Sequence, residues 1–184
     1  MKYENIFHLI FDVLQTGNVP ALVVGGFAVN YHGVSRQTQD IDLLMTEENY
    51  EKVKSFFGKA GSREVIRNPL FVHLENKAVS PLDLDVIFVD PKTFDGINRE
   101  AKTTQIGGRK FKVPSLRHLL ALKLHAMKQN LKRRGFRDLT DVLDLAQKNQ
   151  IDVQGKDFLE LCRQYGGEEI CKTLQELLLK KWKS

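Results

Sequence analysis

Cysteine is nearly absent from this chain of 184 residues. Cys162 and Cys171 are the two present, and neither has metal-ligand spacing to another cysteine or histidine. That excludes a disulfide framework or a zinc ribbon and leaves two reduced structural thiols as the default. The five prolines and one tryptophan are scattered, so no proline-rich linker or low-complexity tract divides the chain. No apolar run approaches the ~20 residues that would span a bilayer, and no membrane role is expected. The first fifteen residues, MKYENIFHLIFDVLQ, carry acids within an apolar pattern and lack a small-residue cleavage site. They fit an amphipathic helix better than a signal peptide, which makes the cytoplasm the expected location. Acids are also in short supply in the second half. Residues 1–100 carry 10 Lys/Arg and 14 Asp/Glu, whereas residues 101–184 carry 18 and 9. An acidic half suits cations, and a basic half suits phosphates or ordinary solvated helix faces.

What is present is the material of one compact domain with a helical appendage: 42% hydrophobic and 28% charged residues. Helical spacing covers residues 4–16, a short stretch Phe27–His32, about 47–59, and then 115–131, 137–148, 156–165 and 168–182. Strand patterns cover Ala21–Val24, Asp40–Met45, Arg63–Arg67, Leu70–Glu75 and Leu82–Val89. Thr103–Ile106 and Lys110–Val113 flank a Gly-Gly turn that suits a hairpin. After Asp90-Pro91 the pattern is irregular or partly helical. The fold class is α+β: a small mixed β-sheet over residues 1–113, with a C-terminal helical part over residues 114–184.

The chemistry concentrates in two Asp-x-Asp pairs. Strand residues two apart share a face, with Cα atoms ~6.6 Å apart, so Asp40 and Asp42 point one way while Ile41, Leu43 and Met45 point the other. Two such carboxylates repel unless a cation joins them, and Mg²⁺ favours hard oxygen ligands that also meet phosphates. SPLDLDVIFVD repeats the pattern at Asp83 and Asp85. A strand that brings Asp85 beside Asp40 and Asp42 would complete a site for two metals ~3.5–4 Å apart. Asp85 lies deeper in the apolar run, where a carboxylate most needs a reason, and Asp83 remains its competitor or supporter. The plainer alternative is that each pair marks a strand entrance facing solvent.

Upstream, Gly25 and Gly26 follow an apolar strand and precede a short helix, which lets backbone N–H groups approach an anion. Hydrophobic-Gly-Gly, about a dozen residues, then Asp-hydrophobic-Asp resembles the signature of the DNA polymerase β-like nucleotidyltransferase superfamily; here it is VVGG…DIDLL. The wording GGFAVNYHGVSRQTQDIDLLM, with VPSLRHLLALKLHA and FRDLTDVLDL further on, resembles the small nucleotidyltransferases that include the enzymatic half of AbiE-type toxin–antitoxin systems. The resemblance implies a nucleotidyltransferase core that passes an NMP from an NTP to an acceptor and releases pyrophosphate. It implies that Gly25 and Gly26 hold the triphosphate and that Asp40, Asp42 and Asp85 are catalytic and bind two Mg²⁺ (or Mn²⁺), Asp85 also acting as base. The acceptor stays open among RNA, protein and small molecules, with an antitoxin as a further partner. The alternative is a non-catalytic nucleotide- or RNA-binding module on the same fold.

Several residues have two readings. Arg36 could touch a nucleotide phosphate or an Asp, or be a surface residue. Lys123 falls in the apolar stripe of its helix with Leu119, Leu120 and Met127. It either snorkels outward or meets a buried anion; in the family reading it reaches the NTP phosphates or supports the acidic cluster. Arg137 and Asp138 could brace that lysine and the metal site, or Asp138 could simply favour a helix dipole, as could Asp141 one turn on. Lys128, Lys132, Arg133, Arg134 and Arg137 form an acid-free basic run, suited either to an RNA or protein acceptor or to a helix C-terminus. His32, His73, His118 and His125 share no spacing and are expected to be packing or surface residues.

Overall fold

The computed structural model describes residues 3–129 and 135–181. The chain forms two compact units, one from Met1–Ala28 and Arg36–Ser115, the other from Val29–Ser35 and Leu116–Ser184.

The first unit is built on a seven-stranded mixed sheet of β1 (Leu22–Val23), β2 (Asp40–Met45), β3 (Arg63–Arg67), β4 (Phe71–Glu75), β5 (Asp83–Phe88), β6 (Lys102–Ile106) and β7 (Arg109–Val113). Their order across the sheet is β3-β4-β5-β2-β1-β7-β6. The centre is the parallel pair β2–β5, in which Ile41 lies beside Leu84 and Leu43 beside Val86. All four side chains are buried, so the apolar half of each alternating strand supplies the core and the Asp-bearing half is left for the other face. The β6–β7 hairpin turns at Gly107-Gly108, both at positive φ.

Among the described residues before Ser115 there are four helices: α1 (Ile6–Gly17), α2 (Gly25–Tyr31), α3 (Glu47–Lys59) and α4 (Pro91–Glu100). α1 (Ile6–Gly17) begins at Asn5, whose side chain accepts hydrogen bonds from the Phe7 and His8 amides. It packs Leu9, Ile10 and Val13 inward, against β7 and a helix over Glu47–Lys59. α3 starts at the Thr46 cap, with Glu47 and Glu48 in its first turn. The stretch after Asp90 is a full helix, Pro91–Glu100, capped by Asp90 with proline at its start. Only Phe94 and Ile97 are buried in it, and Gly96 stands between them, which is why apolar periodicity alone left it irregular. The short helix after β1 spans Gly25–Tyr31, two residues earlier than its apolar residues suggest, because the glycines themselves form the first turn.

The second unit is helical. α5 (Leu116–Gln129), α6 (Gly135–Lys148), α7 (Lys156–Tyr165) and α8 (Glu168–Lys181) pack around Leu119, Leu124, Val142, Leu145, Leu161 and Leu174. The excursion at 29–35 is tied to it by Asn149, whose side-chain amide donates to the His32 and Leu145 carbonyls. Cys162 and Cys171 are buried free thiols. Burial, followed by the contact with Cys171, pushes the Cys162 thiol up to about 12. Among the described residues, no helix is long and apolar enough to cross a membrane.

Candidate active site

The register of β2 on β5 sets Asp40 beside Asp83 and Asp42 beside Asp85. Neighbouring strands run ~4.8 Å apart and paired residues face the same way, so four carboxylates share one patch of the sheet. The two members from β5 have different surroundings. Asp83 keeps 27% of its side chain exposed and is ion-paired with Lys77, whose pKa that hydrogen bond raises. Asp85 is buried, at 5% exposure. A buried carboxylate next to another must be compensated, and a divalent cation held with Asp42 is one physical means.

The glycine turn meets the same patch. Val24 ends β1 by donating its amide to the Asp42 carbonyl at 2.9 Å. Gly25 follows at φ +57°, a left-handed conformation that favours glycine. A Cβ there would lie 1.8 Å from Asp42 Oδ2, so the bare backbone rests directly on that carboxylate. Gly26 packs against the loop before β2: a Cβ would come within 2.6 Å of the Thr38 side chain and 3.1 Å of Arg36 Nη2. Thr38 Oγ1 in turn donates to the Asp40 carbonyl, and Arg36 Nη1 to the Gln37 carbonyl. Gly25, Gly26, Arg36, Asp40, Asp42, Asp83 and Asp85 are thus assembled within one unit of the chain. The set offers hard oxygen ligands, a glycine turn packed against them, and one guanidinium. These are the donor chemistry for a divalent cation and a phosphate.

His73 also belongs to this patch, contrary to its expected role in packing or at the surface. It pairs with Asp85 across β4–β5, and its Nδ1 lies 2.6 Å from Asp85 Oδ1. Asp42, Asp85 and His73 therefore form a row across three strands. Among the described residues, His73, Glu75 and Asp83 are the group whose ligand atoms lie within 4.8 Å of one another. The sequence signal for His73 was available in FVHLE, where alternation puts His73 and Glu75 on one face. What it lacked was the hairpin register that aligns that face with Asp83 and Asp85.

The remaining candidates lie in the helical unit. Lys123 does not snorkel: it is buried, and its Nζ is 2.8 Å from Asp138 Oδ1 and 2.6 Å from Asp141 Oδ2. The buried anion it meets there is this pair of carboxylates, one turn apart on α6. Arg137 and Lys128 are exposed, while Lys132, Arg133 and Arg134 of the basic run lie outside the described residues. A cavity of about 600 Å³ in the same unit is walled by Leu116, Leu120, Ile151, Phe158 and Leu161. Arg117, Asp152, Lys156 and Asp157 also line it, and none of the candidate site residues does.

The profile of a family described as uncharacterised nucleotidyltransferases matches residues 1–178. No curated protein matches the chain in sequence. Solved structures with a similar fold include that of ANT(2'')-Ia in complex with adenylyl-2''-tobramycin. It is 15% identical with a TM-score of 0.54, over 96% of this chain and 97% of that one. The lincomycin-bound lincosamide antibiotic adenylyltransferase LnuA is 19% identical with a TM-score of 0.52, over 76% and 93%. A putative nucleotidyltransferase from Thermotoga maritima is 19% identical with a TM-score of 0.51, over 72% and 91%.

Proposed function

The chain belongs to this nucleotidyltransferase family, and we propose on that footing that it transfers an NMP from an NTP to an acceptor hydroxyl at the patch formed by Gly25, Gly26, Arg36, Asp40, Asp42 and Asp85. The observation that carries the reading is the closeness of Gly25 to Asp42. One backbone turn and one carboxylate occupy adjoining space, so a triphosphate lying on the glycines also lies beside the acids.

Asp40, Asp42 and Asp85 would hold divalent metal, Mg²⁺ by preference with Mn²⁺ as substitute. When bound, the metal pair supplies charge neutralisation at the phosphates and a more acidic acceptor hydroxyl. The chain's own residues do the rest. The backbone at Gly25 and Gly26 cradles the triphosphate, and Arg36 sets its guanidinium over that turn. Asp85 accepts the proton of the acceptor hydroxyl. The acceptor oxygen bonds to the α-phosphorus, the bond from that phosphorus to the bridging oxygen breaks, and pyrophosphate leaves. By neutralising Asp138 and Asp141, Lys123 fixes α5 to α6.

Two of the similar folds carry small-molecule antibiotics or their adenylylated forms, which makes hydroxyl-bearing small molecules the first acceptor class to test. RNA and protein acceptors, and with them the role of toxin held by an antitoxin, follow from the AbiE-like wording and the basic second half. The experiment is radiolabel transfer from each α-labelled NTP into small-molecule, RNA and protein pools, with growth arrest on expression as the toxin readout. Transfer that survives Asp40→Asn with Asp42→Asn would sink the mechanism. Mg²⁺-independent NTP binding without turnover would favour a binding module instead.

A further inference from the structure

One member of the row Asp42–Asp85–His73 has no part in the reaction just described. His73 sits on β4 directly opposite Asp85. Its ring Nδ1 approaches Asp85 Oδ1 to 2.6 Å, with the Asp85 side chain 7% exposed and that of His73 22% exposed. A contact so shielded from water is stronger than one at the surface. The terminal torsion of an aspartate is soft and roughly two-fold, so an untethered carboxylate exchanges its two oxygens. A donor held against Oδ1 restricts that exchange and holds the carboxylate in one rotation.

We propose that His73 is a positioning residue for nucleotidyl transfer, whose Nδ1–H donates to Asp85 Oδ1 and fixes the rotation of that carboxylate. The proposal rests on the reading of Asp85 as metal ligand and base. It assigns the work to one ring nitrogen. Nε2, which faces Asp83 Oδ2 at 4.0 Å beside Glu75, is not required. That distinction can be tested, because an Asn amide nitrogen stands at the same bond count from the backbone as Nδ1, while a Gln amide nitrogen reaches the place of Nε2.

The test compares His73→Asn, His73→Gln and His73→Phe with the wild type, and with Asp85→Asn as the positive control for loss. Two quantities are read: kcat and KM for NMP transfer, and affinity for Mn²⁺ without nucleotide, followed by electron paramagnetic resonance. His73→Asn is expected to stay within about threefold of wild type in both. His73→Gln and His73→Phe are expected to lose about 10- to 100-fold in kcat, the scale of a hydrogen bond to a charged group. Their KM for NTP stays nearly constant and Mn²⁺ binding weakens. Packing alone would rank the variants by volume and leave His73→Phe least affected, which overturns the proposal. His73→Gln active with His73→Asn inactive also overturns it, and points to a metal ligand at Nε2 with Glu75 and Asp83. If His73→Phe does not fold, the Asn–Gln comparison decides alone. A wild type that transfers no NMP yet shows the expected order in Mn²⁺ affinity removes the reaction and keeps the role of His73. A wild type with neither property overturns both.

Discussion

Gly25→Ala puts the central geometry at risk with a single methyl group. The added carbon would stand 1.8 Å from Asp42 Oδ2 and 2.6 Å from its carboxyl carbon. The first distance is about 1.6 Å short of the 3.4 Å at which ordinary contact begins. Rotation of the aspartate gives only partial relief, because its Cβ is itself at 3.0 Å. The φ of +57° adds about 1–2 kcal/mol for any residue with a Cβ, or a fall of about 2–8 °C in Tm for a chain of this size. Loss of function should be larger than loss of stability. Displacing a reacting group by ~1 Å costs about 100-fold in rate, so NMP transfer and Mn²⁺ affinity should both drop on that order while a folded protein remains. Gly58→Ala is the matched control: the site is helical and exposed, with nothing within 4 Å of the new carbon. It should gain about 0.5–1 kcal/mol and leave activity unchanged. If folded Gly25→Ala binds Mn²⁺ and turns over within threefold of wild type, the turn does not rest on the carboxylate and the site as described is wrong.

Lys123→Met should lower stability by about 3–5 kcal/mol, since it takes the cation away from Asp138 and from buried Asp141. Adding Asp138→Asn and Asp141→Asn should recover a large part in thermal melts; no recovery would mean that the lysine stem, and not its charge, matters. Cys162 should react with a thiol reagent at pH 8 far more slowly in the native chain than in urea, because its folded pKa is pushed up to about 12. The same shift means the folded state keeps a proton that the unfolded state releases. Stability is therefore complete below the ordinary thiol pKa and falls as pH climbs from about 9 towards 12. Cys162→Ala should flatten that alkaline slope, and an unchanged slope would assign it to other groups.

Local pattern carried most of the fold. Alternation in DIDLLM and DLDVIF is strong because each strand buries one face and sets carboxylates on the other. The C-terminal helices are equally clear, with apolar stripes and few breakers. Pairing was the hidden quantity. Nothing within either strand states that β2 lies parallel to β5, or that Asp42 meets Asp85 and not Asp83; that depends on the whole order of the sheet. His73 was missed for the same reason, since a histidine acquires its partner only when the β4–β5 register is known. Lys123 was visible as an anomaly in an apolar stripe. Which anion it meets could not be settled from the stripe alone, because Asp138 and Asp141 have an equally good local reason to stand at the start of a helix.

The path of the chain at residues 29–35 has a consequence for how such a protein can be cut and recombined. The sheet unit is interrupted within the excursion that separates Gly26 from Asp40, and those seven residues belong to the helical unit. A fragment ending at Ser115 would carry them without the surface they belong to, including the carbonyl of His32 that Asn149 holds. No single crossover can exchange one unit for a foreign one. Gene fusion, truncation or circular permutation must either keep both units together or splice the loop as well. The segment between the glycines and the acids is thus also the stitch that makes the two halves inherit as one.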